Sequence, residues 1–234
     1  MMTNPRLSLI TGLRNRPQPF KVLYDSIHRC TDVDWELIVG DASDVPITDT
    51  MELPANVIVL PERPRLGHSR GYNRCFEAAS AELVLWLNDD AEVLPKYASS
   101  AIAFMERNPQ IGLGCLSYSD DMTRETFHVN TCCYGMDYAN FGIISRALGQ
   151  HVGWFDEAIP MYGADNSLAY RVLLAGFGIG RVPGEHIIHH SQADLVRFEN
   201  NNNRMMECLI LLDKYGPKLD QMREVYERTR AVIA

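Results

Sequence analysis

The sequence has no long hydrophobic run. Its most apolar stretches, Leu83–Leu87 and Ala101–Met105, are short, whereas a membrane-spanning helix needs about 20 residues. The opening segment has a brief apolar part that meets Arg14 and Arg16 at once, unlike a secretory signal. A cytoplasmic chain with no integral membrane segment is expected, touching the inner membrane surface at most peripherally. Basic charge is not in excess: 22 Lys+Arg face 30 Asp+Glu, a net charge of −8, so no nucleic-acid partner is expected. The six cysteines (Cys30, Cys75, Cys115, Cys132, Cys133, Cys208) contain no C-x-x-C pair. That argues against a zinc knuckle or a thioredoxin-like motif and leaves buried free thiols as the reading for most of them. No G-x-G-x-x-G follows the first strand and no G-x-x-x-x-G-K-[ST] occurs, so dinucleotide oxidoreductases and P-loop enzymes are poorly supported. Neither an internal repeat nor a clean linker is visible, and one domain is expected.

What is present is an ordinary globular balance, 46% hydrophobic and 22% charged over 234 residues. A chain of this size buries roughly 70–75% of its unfolded surface. The first 115 residues alternate strand and helix patterns. Strands are expected at Leu7–Ile10, Trp35–Val39, Asn56–Leu60, Leu83–Leu87 and Ile111–Leu116. Helices are expected after Pro17 and over 69–80 and 96–107, where apolar residues recur at helical spacing. This rhythm predicts an α/β fold with a Rossmann-like, mostly parallel central sheet flanked by helices. From about 116 the rhythm changes. Residues 117–141 read as loop or short hairpins, 165–175 as a helix, and Gly184–His190 as a short strand. Asn200–Asn203 read as a surface turn or helix cap. The tail holds two helical segments, 204–215 and 218–232, divided by Gly216-Pro217. The Met205, Leu209, Leu212 stripe either packs on the core or makes a homodimer contact.

In a parallel sheet the carboxyl ends of the strands carry the ligand site. Thr11-Gly12, Gly40-Asp41 and Asn88-Asp89-Asp90 all fall there. Adjacent carboxylates at a strand end suit a hard divalent cation such as Mg²⁺ or Mn²⁺; a simple turn is the alternative. His189 and His190 point to opposite faces if they end a strand, so one of them faces the site. Asp41 and Asp44 either recognise a base or sugar hydroxyl or cap their own turn. Arg14, Arg16 and Arg70 are candidates to offset diphosphate charge. Asp165, at the start of a helix, is either a cap or a general base. A base acting late on an acceptor hydroxyl needs no strong pKa shift.

These motifs, in order over about residues 6–192, resemble the family 2 glycosyltransferases of the GT-A type, which use nucleotide-sugar donors. By that resemblance Thr11 and Arg14 lie in the nucleotide loop, and Asp41 recognises the base, usually uracil, with Asp44 a second acidic position. The Gly67-His68-Ser69-Arg70-Gly71-Tyr72-Asn73 stretch resembles the family's Gly-rich helix start, which puts Arg70 and Asn73 near the nucleotide. Leu87-Asn88-Asp89-Asp90 resembles the D-x-D variant, with Asp90 the cation ligand, Asp89 beside the donor, and Asn88 in place of a more acidic first residue. Arg146 followed by Gly153-Trp154-Phe155-Asp156-Glu157 resembles the family's R-x(n)-G-x-F-D-E segment. Ala164-Asp165, with Arg171 six residues on, resembles the acidic pair before a helix. Asp165 is then the catalytic base, and Ala164 stands where the family has glutamate. Val182-Pro183 and His189-His190 match the closing P-x(n)-H segment, with His189 a metal ligand. Asp156, Glu157, Arg171 and His190 take supporting or acceptor roles.

The resemblance implies a metal-assisted, inverting transfer of sugar from a nucleotide diphosphate sugar, most simply a UDP-sugar, to a hydroxyl. The acceptor class is a glycan, a lipid-linked glycan, a protein or a small molecule. Residues 1–115 would form the nucleotide-sugar half, 116–192 the acceptor and catalytic half, and 193–234 a helical extension. The rivals are a silent nucleotide-sugar-binding protein and a metal-dependent nucleotidyltransferase.

Overall fold

A computed structural model of the chain describes residues 5–120, 126–159, 161–191 and 204–233; the Asn200–Asn203 turn expected from sequence lies outside them. Strand β1 (Leu7–Leu13) is followed by α1 (Pro17–Cys30), β2 (Trp35–Asp41), β3 (Val57–Pro61), α2 (His68–Ala78) and β4 (Leu83–Asn88). Then come β5 (Ala91–Val93), α3 (Tyr97–Arg107), β6 (Ile111–Cys115), β7 (Tyr118–Ser119), β8 (Gly142–Ser145), α4 (Arg146–Val152) and α5 (Ala164–Leu174). The chain continues through β9 (Gly178–Arg181), β10 (Ile187–His189), α6 (Arg204–Tyr215) and α7 (Leu219–Arg230).

The main sheet has seven strands in the order β3-β2-β1-β4-β8-β6-β9. Strands β1 to β4 are mutually parallel; β8 runs antiparallel to both of its neighbours, β4 and β6. The parallel strands read as continuous apolar runs because both faces are covered. Alternation sorts their side chains: Leu85 and Leu87 of β4 pack with Phe20, Leu23 and Ile27 of α1 and Tyr97 and Phe104 of α3. Val84 and Trp86 face the other way, onto Phe76 of α2, Leu168 and Val172 of α5, and Met222 and Tyr226 of α7. A second sheet, β5-β10-β7, sits beyond the end of β4. Its β10 pairs antiparallel with β5 and parallel with β7, which carries the far histidines back to the Asp89-Asp90 turn.

Two features differ from the sequence expectation. Strand β8 was hidden in a four-residue apolar segment that passes directly into α4, where the Ser145 hydroxyl accepts from the Leu148 amide at 3.2 Å. The apolar stripe of α6 does not pack on the core: Met205, Leu209 and Leu212 are 79%, 55% and 44% exposed. The helix instead buries Glu207, Leu211 and Tyr215, spaced four apart. Among the described residues no helix is long and apolar enough to cross a membrane.

Candidate active site

The carboxyl ends of β1, β2 and β4 open onto a cleft of about 420 Å³, which also receives the starts of α2 and α5 and the end of β10. Its floor depends on one close approach. Tyr72 of α2 reaches across to donate to the Leu87 carbonyl at 2.8 Å, and a side chain at Gly12 would meet its ring at 2.7 Å. Any larger residue there would have to displace the Tyr72 ring.

Strand β4 stops where its apolar run meets Asn88-Asp89-Asp90, and both aspartates are buried beside the cleft. Their negative charge is met first by Arg16. Its guanidinium donates to Asp89 at 2.7 Å and to Asp90 at 3.1 Å. His189, at the end of β10, places Nε2 3.1 Å from the other Asp90 oxygen and Nδ1 2.7 Å from Asp120. Burial alone would raise the Asp90 pKa, but His189 and Arg16 outweigh it and hold the carboxyl below its ordinary value. Burial alone would lower His189, and the hydrogen bonds and charges of Asp90 and Asp120 reverse that and raise it. His190, on the opposite face of the strand, pairs with Glu92 at 3.1 Å, outside the cleft lining.

The donor set fits a divalent cation through two protein ligands. Among the described residues no group of three or more His, Cys, Asp or Glu is arrayed around one point. The Asp90 oxygen and His189 nitrogen are 3.1 Å apart, the separation of adjacent ligands on one ion with bonds of about 2.0–2.2 Å. A mixed oxygen and nitrogen pair is acceptable to Mn²⁺. Water and phosphate oxygens would complete the shell.

Asp165 stands in the first turn of α5, whose N-cap is Gly163, so the capping alternative is not what the side chain does. It lines the cleft, yet enough protein surrounds it that burial pushes its pKa up to about 8. The neighbouring Trp86 indole works against that shift, but its N–H completes no hydrogen bond of normal geometry. Desolvation therefore outweighs both the indole and the favourable helix N-terminus. The role of base does not require this shift, but burial supplies it. The turn before α5 is held from α6: one oxygen of the buried Glu207 carboxylate accepts from the amides of Met161, Tyr162 and Gly163 at 3.1, 2.5 and 3.3 Å.

Of the other sequence candidates, Arg14 and Asp89 line the cleft. Thr11 is wholly buried in β1 and does not. Asp41 turns its carboxylate onto the Ser43 and Ile47 amides at 3.0 and 2.7 Å, the turn-capping alternative. Asp44 joins the β1 loop: its carboxylate accepts from Asn15 at 2.8 Å and its amide donates back at 2.9 Å. Arg70 lies on the exposed side of α2, paired with Glu157 at 3.0 Å. Asn73 clamps the Phe155 backbone, donating to its carbonyl and accepting from its amide, each at 2.9 Å. Asp156 accepts from Lys214 and from Tyr215, the latter at 3.0 Å. Arg171 donates to the Val152 carbonyl at 2.7 Å and to the Trp154 carbonyl. These last five residues latch the 152–157 segment to α2, α5 and α6 behind the cleft rather than lining it.

Several lining residues were not singled out from sequence. Asp120 follows β7 and reaches His189 only through the β7–β10 pairing. Glu62 is a buried carboxylate packed over Gly71, and burial raises its pKa. His68 stacks on Tyr72 with ring centres 4.4 Å apart, and burial lowers it to about 4, so it is neutral near pH 7. Asn130 donates to Tyr138 at 3.1 Å and to Asn140 at 2.6 Å on the wall built by residues after 116.

A mostly parallel sheet with one antiparallel strand, a small second sheet, and a carboxylate–histidine pair at the β4 end together define the GT-A class of fold. The sequence profile of glycosyl transferase family 2 matches residues 8–159, and the chain belongs to that family. No curated protein sequence matches the chain. Among solved structures, S. aureus TarS 1–349 is 17% identical with a TM-score of 0.62, over 79% of this chain and 60% of that one. The same fragment in complex with UDP-GlcNAc is 17% identical with a TM-score of 0.65, over 81% and 59%. The mannosyltransferase PcManGT from Pyrobaculum calidifontis, in complex with GDP-Man and Mn²⁺, is 16% identical with a TM-score of 0.67, over 96% and 70%. The chain thus spans about 60% of the length of TarS 1–349. These likenesses establish the fold.

Proposed function

We propose that the chain is an inverting glycosyltransferase that moves a sugar from a nucleotide diphosphate sugar to an acceptor hydroxyl. The observation that carries this reading is convergence: Asp165 and the Asp90–His189 pair, far apart in sequence, line one cleft at the strand ends. Asp165 takes the proton of the acceptor hydroxyl as that oxygen attacks the anomeric carbon from the face opposite the diphosphate. The bond from that carbon to the diphosphate oxygen breaks, and the nucleoside diphosphate leaves with the electron pair. Asp90 and His189 would hold a Mn²⁺ or Mg²⁺ ion, which would supply Lewis-acid stabilisation of the leaving diphosphate. Asp89, Arg14 and Arg16 orient the donor, and a carboxylate with a pKa near 8 is well matched to proton transfer at neutral pH.

Residues 1–115 form the donor half and 116–192 the acceptor and catalytic half of this reading. A UDP-sugar remains the favoured donor, with the base held at the Asp41–Asp44 turn. Because Asp41 already caps that turn, uracil would be read by its remaining lone pairs and by the turn backbone. The GDP-Man bound by PcManGT makes GDP-sugars the second set to try. Six free cysteines, four of them buried, suit a reducing cytoplasmic compartment.

The test is a donor screen with Mn²⁺ and an acceptor panel, reading the released nucleotide. Nucleoside diphosphate is expected, lost on adding excess chelator. Pyrophosphate would assign a nucleotidyltransferase. Donor binding without turnover across the panel would assign a silent binding protein.

A further inference from the structure

Arg16 places its guanidinium against both carboxylates at the end of β4, next to the Asp90–His189 pair. It sits on the loop after β1, as the residue before Pro17 opens α1. The loop is held rigidly. Asn15 adopts a left-handed backbone (φ 52°), its amide donates to the Ser43 hydroxyl at 2.9 Å, and its side chain exchanges hydrogen bonds with Asp44. From this anchor the guanidinium forks onto Asp89 and Asp90, and the side chains of Arg16, Asp89 and Asp90 are only 14%, 11% and 8% exposed. Both Asp90 oxygens are thereby engaged, one by Arg16 and one by His189. Asp120 stands behind His189, against its Nδ1.

A divalent ion on the Asp90–His189 pair would lie beside this guanidinium, which holds the other Asp90 oxygen. Like charges a few ångströms apart in a shielded site repel strongly. To admit the ion, Arg16 must leave two charge-assisted hydrogen bonds, and it leaves most easily for an acceptor of equal quality. A diphosphate is such an acceptor, because guanidinium binds phosphate oxygens through two parallel bonds.

We propose that Arg16 is an internal countercation that closes the ion site until a nucleoside diphosphate draws it away, so that nucleotide opens the site to the metal. The proposal rests on the metal-assisted reading above. It makes nucleotide and ion binding reciprocally coupled through one side chain. Arg16 is here a positioning residue for the ion.

Manganese binding is read by the loss of the free-ion electron paramagnetic resonance signal, without turnover. It is titrated into wild type, Arg16→Met, Arg16→Lys and Asp90→Asn, each alone and with UDP or GDP. Wild type is expected to bind Mn²⁺ weakly alone and about 10-fold more tightly with the accepted nucleotide. Arg16→Met is expected to bind Mn²⁺ alone about 10-fold more tightly than wild type, with most of the nucleotide enhancement gone. Arg16→Lys, whose point charge meets one carboxylate at a time, falls between them and serves if the Met variant does not fold. If the Arg16 variants match wild type in both titrations while Asp90→Asn loses the ion, the countercation role is overturned and the metal-assisted reading stands. If Asp90→Asn binds Mn²⁺ as wild type does, the ion site itself is wrong and both fall.

Discussion

At the residue scale the decisive group is Asp165, where burial outweighs a helix N-terminus and a nearby indole to give a pKa of about 8. Replacing it with asparagine preserves shape and removes the proposed base. Asp165→Asn is expected to leave donor affinity near wild type while turnover falls about 10²–10⁴-fold; an unchanged rate would remove Asp165 from that role. The raised pKa also predicts two pH effects. The base must be ionised, so kcat/KM for the free enzyme should rise with pH and level off above about 8. For stability the sign is opposite. The folded carboxyl binds its proton more tightly than the unfolded one, so this group's contribution declines as pH rises from about 4 towards 8. Thermal melts of Asp165→Asn should show a gain over wild type that is absent near pH 4 and grows to a plateau above pH 8; a constant offset would contradict the assigned burial.

Among elements, the contact that places Asp165 is the clamp of α6 on the start of α5. The buried Glu207 carboxylate satisfies the amides of residues 161–163, the turn that leads into α5, and buried backbone donors are costly without a partner. Glu207→Ala should cost about 1.5–3 kcal/mol, a Tm fall of roughly 3–12 °C. It should also lower kcat, because the turn carrying Tyr162 and Asp165 loses its anchor, with Glu207→Gln restoring much of both. A melt and a rate for each variant check this; an Ala variant with normal Tm and rate would show the clamp to be dispensable. Such clamps explain what the sequence could and could not disclose. The β4 run and its Asp89-Asp90 end were legible because burial on both faces forces an unbroken apolar run that must stop at the surface. The true face of α6 was not, because Met205, Leu209 and Leu212 are more apolar than the Glu207 ridge that is buried. One carboxylate with three amide partners decided the packing, and no periodicity reports it. Strand β8 escaped for another reason: four residues between a loop and a helix carry too little alternation to register.

For the whole molecule, the topology assembles the site. Parallel order brings the ends of β1, β2 and β4 to one edge, and the small β5-β10-β7 sheet returns His189 to Asp90 across about a hundred residues of chain. Alternating strand and helix patterns announced the first arrangement. The second depends on pairings of two or three residues, so the contact of Asp120 with His189 had no signal in the sequence, and neither did the fork of Arg16 over both aspartates. Conversely, the Trp154-Phe155-Asp156-Glu157 segment was legible as a motif, but its side chains hold the back of the site together rather than enter it. At this scale the account predicts metal dependence: excess chelator should abolish release of nucleoside diphosphate, and added Mn²⁺ should restore it.

The most direct measurement is a crystal structure of Asp165→Asn soaked with Mn²⁺ and the intact donor identified by the screen, with anomalous scattering used to locate the ion. The account predicts manganese bonded to Asp90, His189 and the diphosphate, Arg16 moved onto a phosphate, and the anomeric carbon open to residue 165. An ion bound away from Asp90, or a donor seated outside this cleft, would contradict it.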